Sequence, residues 1–308
     1  MDAAIRIEGL VKKYGDVVAV AGLDLEIRRG ECFGLLGPNG AGKTTTVEIM
    51  EGLVSPTQGK VEVLGLHWDR QGDDLRARIG VTLQETKLFE KLTVEETLRL
   101  FRSFYDPARA ISVETLLGEM QLQEKRSAAV GKLSGGQRQR LAVALGLIGD
   151  PEVLFLDEPT TGLDPQSRRA LWDTIAMARQ RGKTIVLTTH YMDEAERLCD
   201  RVAIVDHGKL IAIGSPDELI DGIGGHRLVE LATEPPLSPD ALIDVEGVRG
   251  VRVQGDGLAV SIDEPHVALP ALVGRLAERG VRATRLVSRT ATLDDVFLSL
   301  TGRTLRED

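Results

Sequence analysis

Residues Gly37-Pro38-Asn39-Gly40-Ala41-Gly42-Lys43-Thr44 follow the spacing G-x-x-x-x-G-K-[ST], and no other stretch restricts the fold of the chain so narrowly. In that spacing glycine N–H groups surround phosphate oxygens, the lysine reaches the terminal phosphates and the threonine hydroxyl serves Mg2+. The flanks supply the context the loop needs. Cys32-Phe33-Gly34-Leu35-Leu36 is a short apolar run that reads as a buried strand, and Thr44 to Met50 reads as a helix, with Val47, Met50 and Val54 at helical spacing. A helix N-terminus gathers unpaired N–H groups and about half a positive charge, so strand, glycine loop and helix together imply a bound nucleoside triphosphate.

A second anion site lies downstream. In Leu133-Ser134-Gly135-Gly136-Gln137, Ser134 reads as the N-cap of a helix whose apolar residues include Leu141, Val143, Leu145 and Ile148. One triphosphate cannot easily use both helix ends of one monomer, since the first loop already surrounds its phosphates. The next strand, Val153-Leu154-Phe155-Leu156, ends in Asp157-Glu158-Pro159, which puts two carboxylates at the edge where ligands of parallel sheets bind. Their expected roles differ: Asp157 supports Mg2+ through its water shell, and Glu158 polarises the attacking water.

In this order and spacing the three elements resemble the ATP-binding cassette (ABC) ATPases. The resemblance implies an α/β P-loop NTPase cassette with a mixed sheet core and a helical subdomain. It also implies that two cassettes pair head to tail, each signature loop (Ser134, Gly135, Gly136, Gln137) capping the nucleotide on the other subunit's loop. ATP and Mg2+ are then the ligands. Gly37, Pro38, Asn39, Gly40, Ala41, Gly42, Lys43, Thr44 and Thr45 hold the phosphates, and Thr44, Asp157 and Gln84 serve the metal. Four further roles come from the resemblance: Tyr14 stacks on adenine, Gln84 senses Mg2+ and the membrane partner, Asp164 contacts the other subunit, and His190, after the apolar strand Thr184 to Thr189, contacts the terminal phosphate. Glu158, His190, Lys43 and Gln84 form the expected catalytic set. His67, His207, His226 and His266 show no metal spacing and read as surface residues.

At 308 residues the chain is long for one ordinary domain. A cassette is expected over 1–220, its helical subdomain at about 87–149, and a small α+β appendage over 226–308. In the appendage, Val251–Val253 and Leu258–Val260 flank a glycine turn, Leu269, Leu272, Val273 and Leu276 mark a helix, Val281 to Val287 a strand, and Thr292 opens a last helix with Leu293, Val296, Phe297 and Leu300 on one face. That face reads foremost as closing the appendage's own core, with a contact to a second subunit as the alternative. The net charge of −9 lacks the broad positive field of nucleic-acid binders. Apolar runs stay below the span of a bilayer and no signal peptide precedes Ile5, so a cytoplasmic chain is expected. Two cysteines, Cys32 and Cys199, give no disulfide framework.

Thr292-Leu293-Asp294-Asp295-Val296-Phe297-Leu298-Ser299-Leu300-Thr301-Gly302-Arg303 and Gln84-Glu85-Thr86-Lys87-Leu88-Phe89 resemble the ABC-2 type exporter cassettes of the daunorubicin-resistance group. What this implies is a homodimer, peripheral on the cytoplasmic face of the membrane, that hydrolyses ATP and powers export of a drug, lipid or other small molecule through a separate integral membrane permease. Two alternatives stay open, a soluble cassette ATPase without a permease and an importer cassette. A binding module without turnover would be expected to lack Glu158 or His190, and both are present.

Overall fold

The computed structural model describes residues 2–82, 87–223 and 227–302. Its chain divides into two compact units, the first running to Ile213 and the second beginning at Gly214.

The first unit carries two sheets of different character, and the burial of their strands shows why. Strands β1 (Ala3–Tyr14) and β2 (Val17–Arg28) alternate buried and exposed positions, as suits an antiparallel sheet with one wet face, and β4 (Gln58–Val63) completes it in the order β2-β1-β4. By contrast, β3 (Cys32–Leu36), β6 (Val153–Asp157) and β7 (Thr184–Thr189) are buried at every position. Such runs suit the interior of a parallel sheet covered on both faces. With β5 (Ile79–Thr82), β8 (Arg201–Asp206) and β9 (Lys209–Gly214) they form a six-stranded sheet in the order β5-β6-β7-β3-β8-β9. Helix α1 (Lys43–Met50) joins the two sheets: Val47, Ile49 and Met50 share one core with Ile5, Ile7, Leu10, Leu23 and Ile27 of the antiparallel sheet and with Phe33, Phe155 and Val186 of the parallel one.

Helix α2 (Trp68–Arg76) leads back into β5. The segment after it is helical, with α3 (Val94–Arg102), α4 (Val113–Glu119) and α5 (Gly135–Leu147). Thr93 and Glu96 form a capping box on α3, and Glu95 of the same turn is gripped by Arg126 and Arg99, whose hydrogen bonds hold its carboxyl down at about 2. Helix α5 packs on β5 and β6, so the helix that begins at the signature loop also flanks the sheet. Helices α6 (Pro165–Gln180) and α7 (Met192–Leu198) follow β6 and β7. Cys32 and Cys199 are both buried free thiols.

The second unit is α+β. Strands β10 (Arg227–Glu234), β11 (Val248–Gln254), β12 (Gly257–Ile262) and β13 (Arg282–Thr290) form an antiparallel sheet in the order β11-β12-β10-β13. Helix α9 (Pro265–Glu278) sets Ala268, Leu272 and Leu276 into a core with Val229, Leu231, Leu242, Val260 and Ile262. Val273, one of the residues that mark this helix in the sequence, lies within it but is 54% exposed. Helix α8 (Pro216–Gly222) packs against α10 (Leu293–Thr301), in which Leu293, Val296 and Phe297 are buried. Leu300, in the last turn of that helix, is 44% exposed and falls outside the buried stripe. No strand is read from the sequence at β10, an interior strand of this sheet.

Candidate functional site

Strand order assembles the site. Strands β6, β7 and β3 are neighbours, and their parallel register sets Asp157 against Thr188 and Leu36 against Thr189. The residues that follow each strand, Glu158, His190 and the loop beginning at Gly37, therefore leave the sheet at one C-terminal edge, where α/β sheets bind ligands.

The Gly37–Gly42 loop runs close to the backbone around it. A Cβ on Gly42, which sits at a φ of 96° as the N-cap of α1, would lie 2.3 Å from the Ala19 carbonyl oxygen, and one on Gly37 would lie 2.2 Å from that of Val205. Only glycine allows that approach together with that turn. Lacking a side chain, Gly42 leaves the first turn of α1 without a side-chain cap, and its N–H groups are donors for an anion. Lys43 is buried and its Nζ donates to the carbonyls of Gly37 (2.8 Å) and Pro38 (3.0 Å). Burial pushes its pKa down, while the charges of Glu158 and Asp157 pull it up. Asn39, Gly40 and Thr44 are exposed and Thr45 partly so.

Asp157 is buried and accepts a hydrogen bond from Thr188 Oγ1. Burial raises its pKa; Thr188 counters that, Glu158 adds to it, and Lys43 lowers it. Glu158 stands at a φ of 44°, a left-handed conformation unusual for a residue with a side chain. Its N–H donates to Thr188 Oγ1 (2.9 Å) and to the Thr188 carbonyl (3.2 Å), which holds it there. The carboxylate accepts from Thr161 Oγ1 at 3.1 Å and lies 3.3 Å from His190 Nδ1. The structure thus brings Lys43, Asp157, Glu158 and His190 together.

The signature residues gather elsewhere. Ser134 and Gln137 form a capping box, the Gln137 N–H donating to Ser134 Oγ (3.3 Å) and the Ser134 N–H to Gln137 Oε1 (3.0 Å). Among the described residues no hydrogen bond links Ser134–Gln137 to the Gly37–Thr45 loop. Gly136 instead approaches α6, where an added Cβ would meet Ser167 Oγ at 2.4 Å, and Ser167 donates in turn to Asp164 Oδ2 at 2.6 Å. Asp164 is the N-cap of α6, its Oδ1 accepting from the N–H groups of Gln166 and Ser167, both at 3.0 Å. Tyr14, 47% exposed at the end of β1, lies under the Lys12 ammonium at 4.8 Å. Gln84 falls outside the described residues, as does His226.

Sequence reasoning missed Thr188, which ties Asp157 and Glu158 to one strand, and Gly208, whose N–H donates to the Ala41 carbonyl at 3.0 Å and whose carbonyl accepts from the Ala21 N–H at 2.8 Å. Gly208 lies in the turn between β8 and β9, so that hairpin braces the phosphate loop. Neither residue carries a motif, because its contribution is a contact with residues far away in sequence.

Comparison with known proteins supplies a family. A family model described as ABC transporter matches residues 20–161. The chain is 42% identical to a protein of Cupriavidus metallidurans over 100% of both chains. It is 41% identical to one of Ralstonia nicotianae over 98% of this chain and 95% of the relative. Both relatives are named Nod factor export ATP-binding protein I. The chain belongs to the ABC transporter ATP-binding proteins.

Solved structures agree with that membership. One described as the ATP-binding subunit of an ABC transporter superposes with a TM-score of 0.64 at 28% identity, covering 72% of this chain and 93% of its own. Another, a dimeric ATP-binding cassette in a post-hydrolysis state with ADP and Pi, gives a TM-score of 0.61 at 27% identity over 68% of this chain and 98% of its own. As an ABC transporter ATP-binding protein the chain binds and hydrolyses ATP, and its fold is the P-loop cassette. Among the described residues no helix is long and apolar enough to cross a membrane.

Proposed function

We propose that this ABC transporter ATP-binding protein is the ATPase of an ABC-2 type exporter of the daunorubicin-resistance group, working as a homodimer on the cytoplasmic face of a membrane and driving a separate integral membrane permease. The observation that carries the catalytic part of this reading is the 3.3 Å contact between His190 and Glu158 at the sheet edge that also holds Asp157 and Lys43. Export is favoured over import because the relatives that match essentially the whole chain, second unit included, are named for export of Nod factor. A small-molecule cargo follows from the same likeness.

The residues fit ATP with Mg2+. The loop lies where a Cβ on Gly37 or Gly42 would strike backbone, its helix offers uncapped N–H groups, and the buried Lys43 brings a single cation to it. Thr44 and Asp157 are the protein groups that would hold Mg2+, with Gln84 as a third; the ion, when bound, neutralises charge on the phosphates. Among the described residues no three His, Cys, Asp or Glu side chains cluster so as to hold a metal. Mg2+ held mainly by phosphate and water oxygens does not require such a cluster.

In this mechanism Lys43 moves from the loop carbonyls to the terminal phosphates and offsets their charge. Glu158, fixed at its turn by Thr188, accepts the proton of the attacking water, and His190 aligns its carboxylate and the terminal phosphate. Ser134, Gly135, Gly136 and Gln137 of one subunit meet the nucleotide on its partner, Asp164 lies along the same seam, and Tyr14 stacks on the base. The test is affinity capture of the Glu158→Gln chain from native membranes with ATP and Mg2+, followed by mass spectrometry. A stoichiometric polytopic membrane protein is the expected outcome. Recovery only from the soluble fraction, with ribosomes or nucleic acid, rejects the permease.

A further inference from the structure

We infer that Arg168 is a positioning residue that acts through the ring of Tyr191 to hold His190 against Glu158. The Arg168 guanidinium carbon stands 4.2 Å from the centroid of the Tyr191 ring, and that ring and the His190 imidazole have centroids 4.2 Å apart at 41°. His190 Nδ1 then reaches Glu158 Oε2 at 3.3 Å. The stack is the main restraint on the guanidinium. Arg168 Nε is buried without a hydrogen-bond partner, and the nearest carboxylate oxygen, on Asp193, is 3.9 Å away, beyond hydrogen-bond distance. A guanidinium that has lost much of its water is strongly attracted to an aromatic face.

His190 has need of such a support. It sits in the turn between β7 and α7, where Tyr191 occupies the N-cap position of α7 and makes no side-chain cap. The turn is held by the Tyr191 N–H donating to Thr189 Oγ1 at 3.0 Å, which fixes the backbone but not the rings. What fixes the seam between α6 and α7 is the hydrogen bond from Trp172 Nε1 to Glu194 Oε1, 3.0 Å, on a carboxylate that is 0% exposed. Arg168 rises from that seam onto the Tyr191 ring in the turn.

The other end of Arg168 leads to the signature surface. Its N–H donates to the Asp164 carbonyl at 3.0 Å in the first turn of α6, the turn whose Ser167 binds Asp164 and abuts Gly136. Gly136, Ser167, Asp164, Arg168, Tyr191, His190 and Glu158 form one line of contacts. A displacement of the Asp164 turn, such as a partner subunit would impose, therefore reaches the imidazole through a single stacked ring.

This inference rests on the catalytic role proposed for His190, and the experiment separates the two. Steady-state ATP turnover of the full chain is measured for Arg168→Met, Tyr191→Ala, Tyr191→Phe, the Arg168→Met/Tyr191→Ala double variant and His190→Ala. Methionine keeps the apolar stem of arginine without its charge. The expected result is a fall of about tenfold in kcat for Arg168→Met and Tyr191→Ala with the KM for ATP within about twofold, since misorientation alone costs rate. Tyr191→Phe keeps the ring and keeps the rate, and the double variant falls no further than either single one. Unchanged kcat in Arg168→Met and Tyr191→Ala beside a large loss in His190→Ala overturns the inference and leaves the role of His190 intact; full turnover in His190→Ala overturns that role itself. A fall that appears equally in kcat and ATP affinity, or that is additive in the double variant, marks a structural effect and also overturns it. If Tyr191→Ala does not fold, Arg168→Met alone decides, because it leaves every ring in place.

Discussion

Glu158 and Lys43 act on each other electrostatically and should fail in different ways. Replacing Glu158 by Gln keeps its shape and its backbone bonds to Thr188 but removes the proton acceptor, so turnover should fall by about a hundredfold or more while ATP binding persists. Lys43→Ala should lose both, read as nucleotide binding by calorimetry and as phosphate release. Glu51 makes a different case. It ends α1 at 4% exposure with Oε1 unpartnered, and burial first, then the charges of Asp157 and Glu48, push its carboxyl from an ordinary 4.5 up to about 8. Between these values the folded chain keeps a proton that the unfolded chain releases, so stability falls as pH rises from about 4.5 to about 8 and levels above that. Glu51→Gln should therefore be more stable than the parent at pH 8, by roughly 4 kcal/mol, with the gap shrinking below about 1 kcal/mol at pH 5. Urea midpoints at the two pH values check the slope; a constant gap would remove Glu51 as its source. Glu51 was not legible as a special position, because a glutamate after an apolar helix looks solvated until the sheets close over it.

The elements differ in how much of them a reader of the chain can recover. The phosphate loop, α5 and β6 carry their geometry in local pattern: glycines at fixed offsets, a serine cap with Gln137 three residues on, and an unbroken apolar run. Strand β10 does not. Its Glu230 interrupts the apolar pattern, and only the cross-strand partners Arg285 and Arg289 on β13, both at 2.8 Å, make that charge compatible with a central strand. Asp295 poses the same problem in α10. It is buried, which pushes its pKa up, yet hydrogen bonds from Arg289 (2.6 and 2.8 Å) and from the Thr292 N–H (3.0 Å), with the charge of Arg252, hold it below the usual carboxylate value. Stability from this group is present above its ordinary pKa and is lost as pH falls through the lowered one. Asp295→Ala leaves two arginines facing a buried gap and unpins the start of α10, so it should cost about 3 kcal/mol in chemical denaturation, mostly in the transition of the second unit.

For the whole molecule the proposed cycle is association driven by nucleotide. The Glu158→Gln chain should sediment as a monomer without ATP and as a dimer with ATP and Mg2+. Adding Ser134→Glu should abolish that dimer without unfolding the protein: a carboxylate suits a helix N-terminus but repels a triphosphate brought to it by a partner. A dimer that survives Ser134→Glu would reject the signature loop as the partner's phosphate site.

Local sequence was sufficient for those parts of this protein whose physics is local. Glycine spacing made a phosphate loop between a strand and a helix, serine and glutamine made the cap of α5, apolar runs made the buried strands, and the order of these motifs carried the family. What no local pattern contains is the order β6-β7-β3, because neighbours in a parallel sheet are chosen by packing across chain separations of many tens of residues. That order sets Asp157 beside Thr188, turns Glu158 to within 3.3 Å of His190, and lets Gly208 brace a loop whose motif ended more than 160 residues earlier. The motifs name the candidate groups; the tertiary structure sets the distances between them, since contact energies act through space and the chain records only sequence separation.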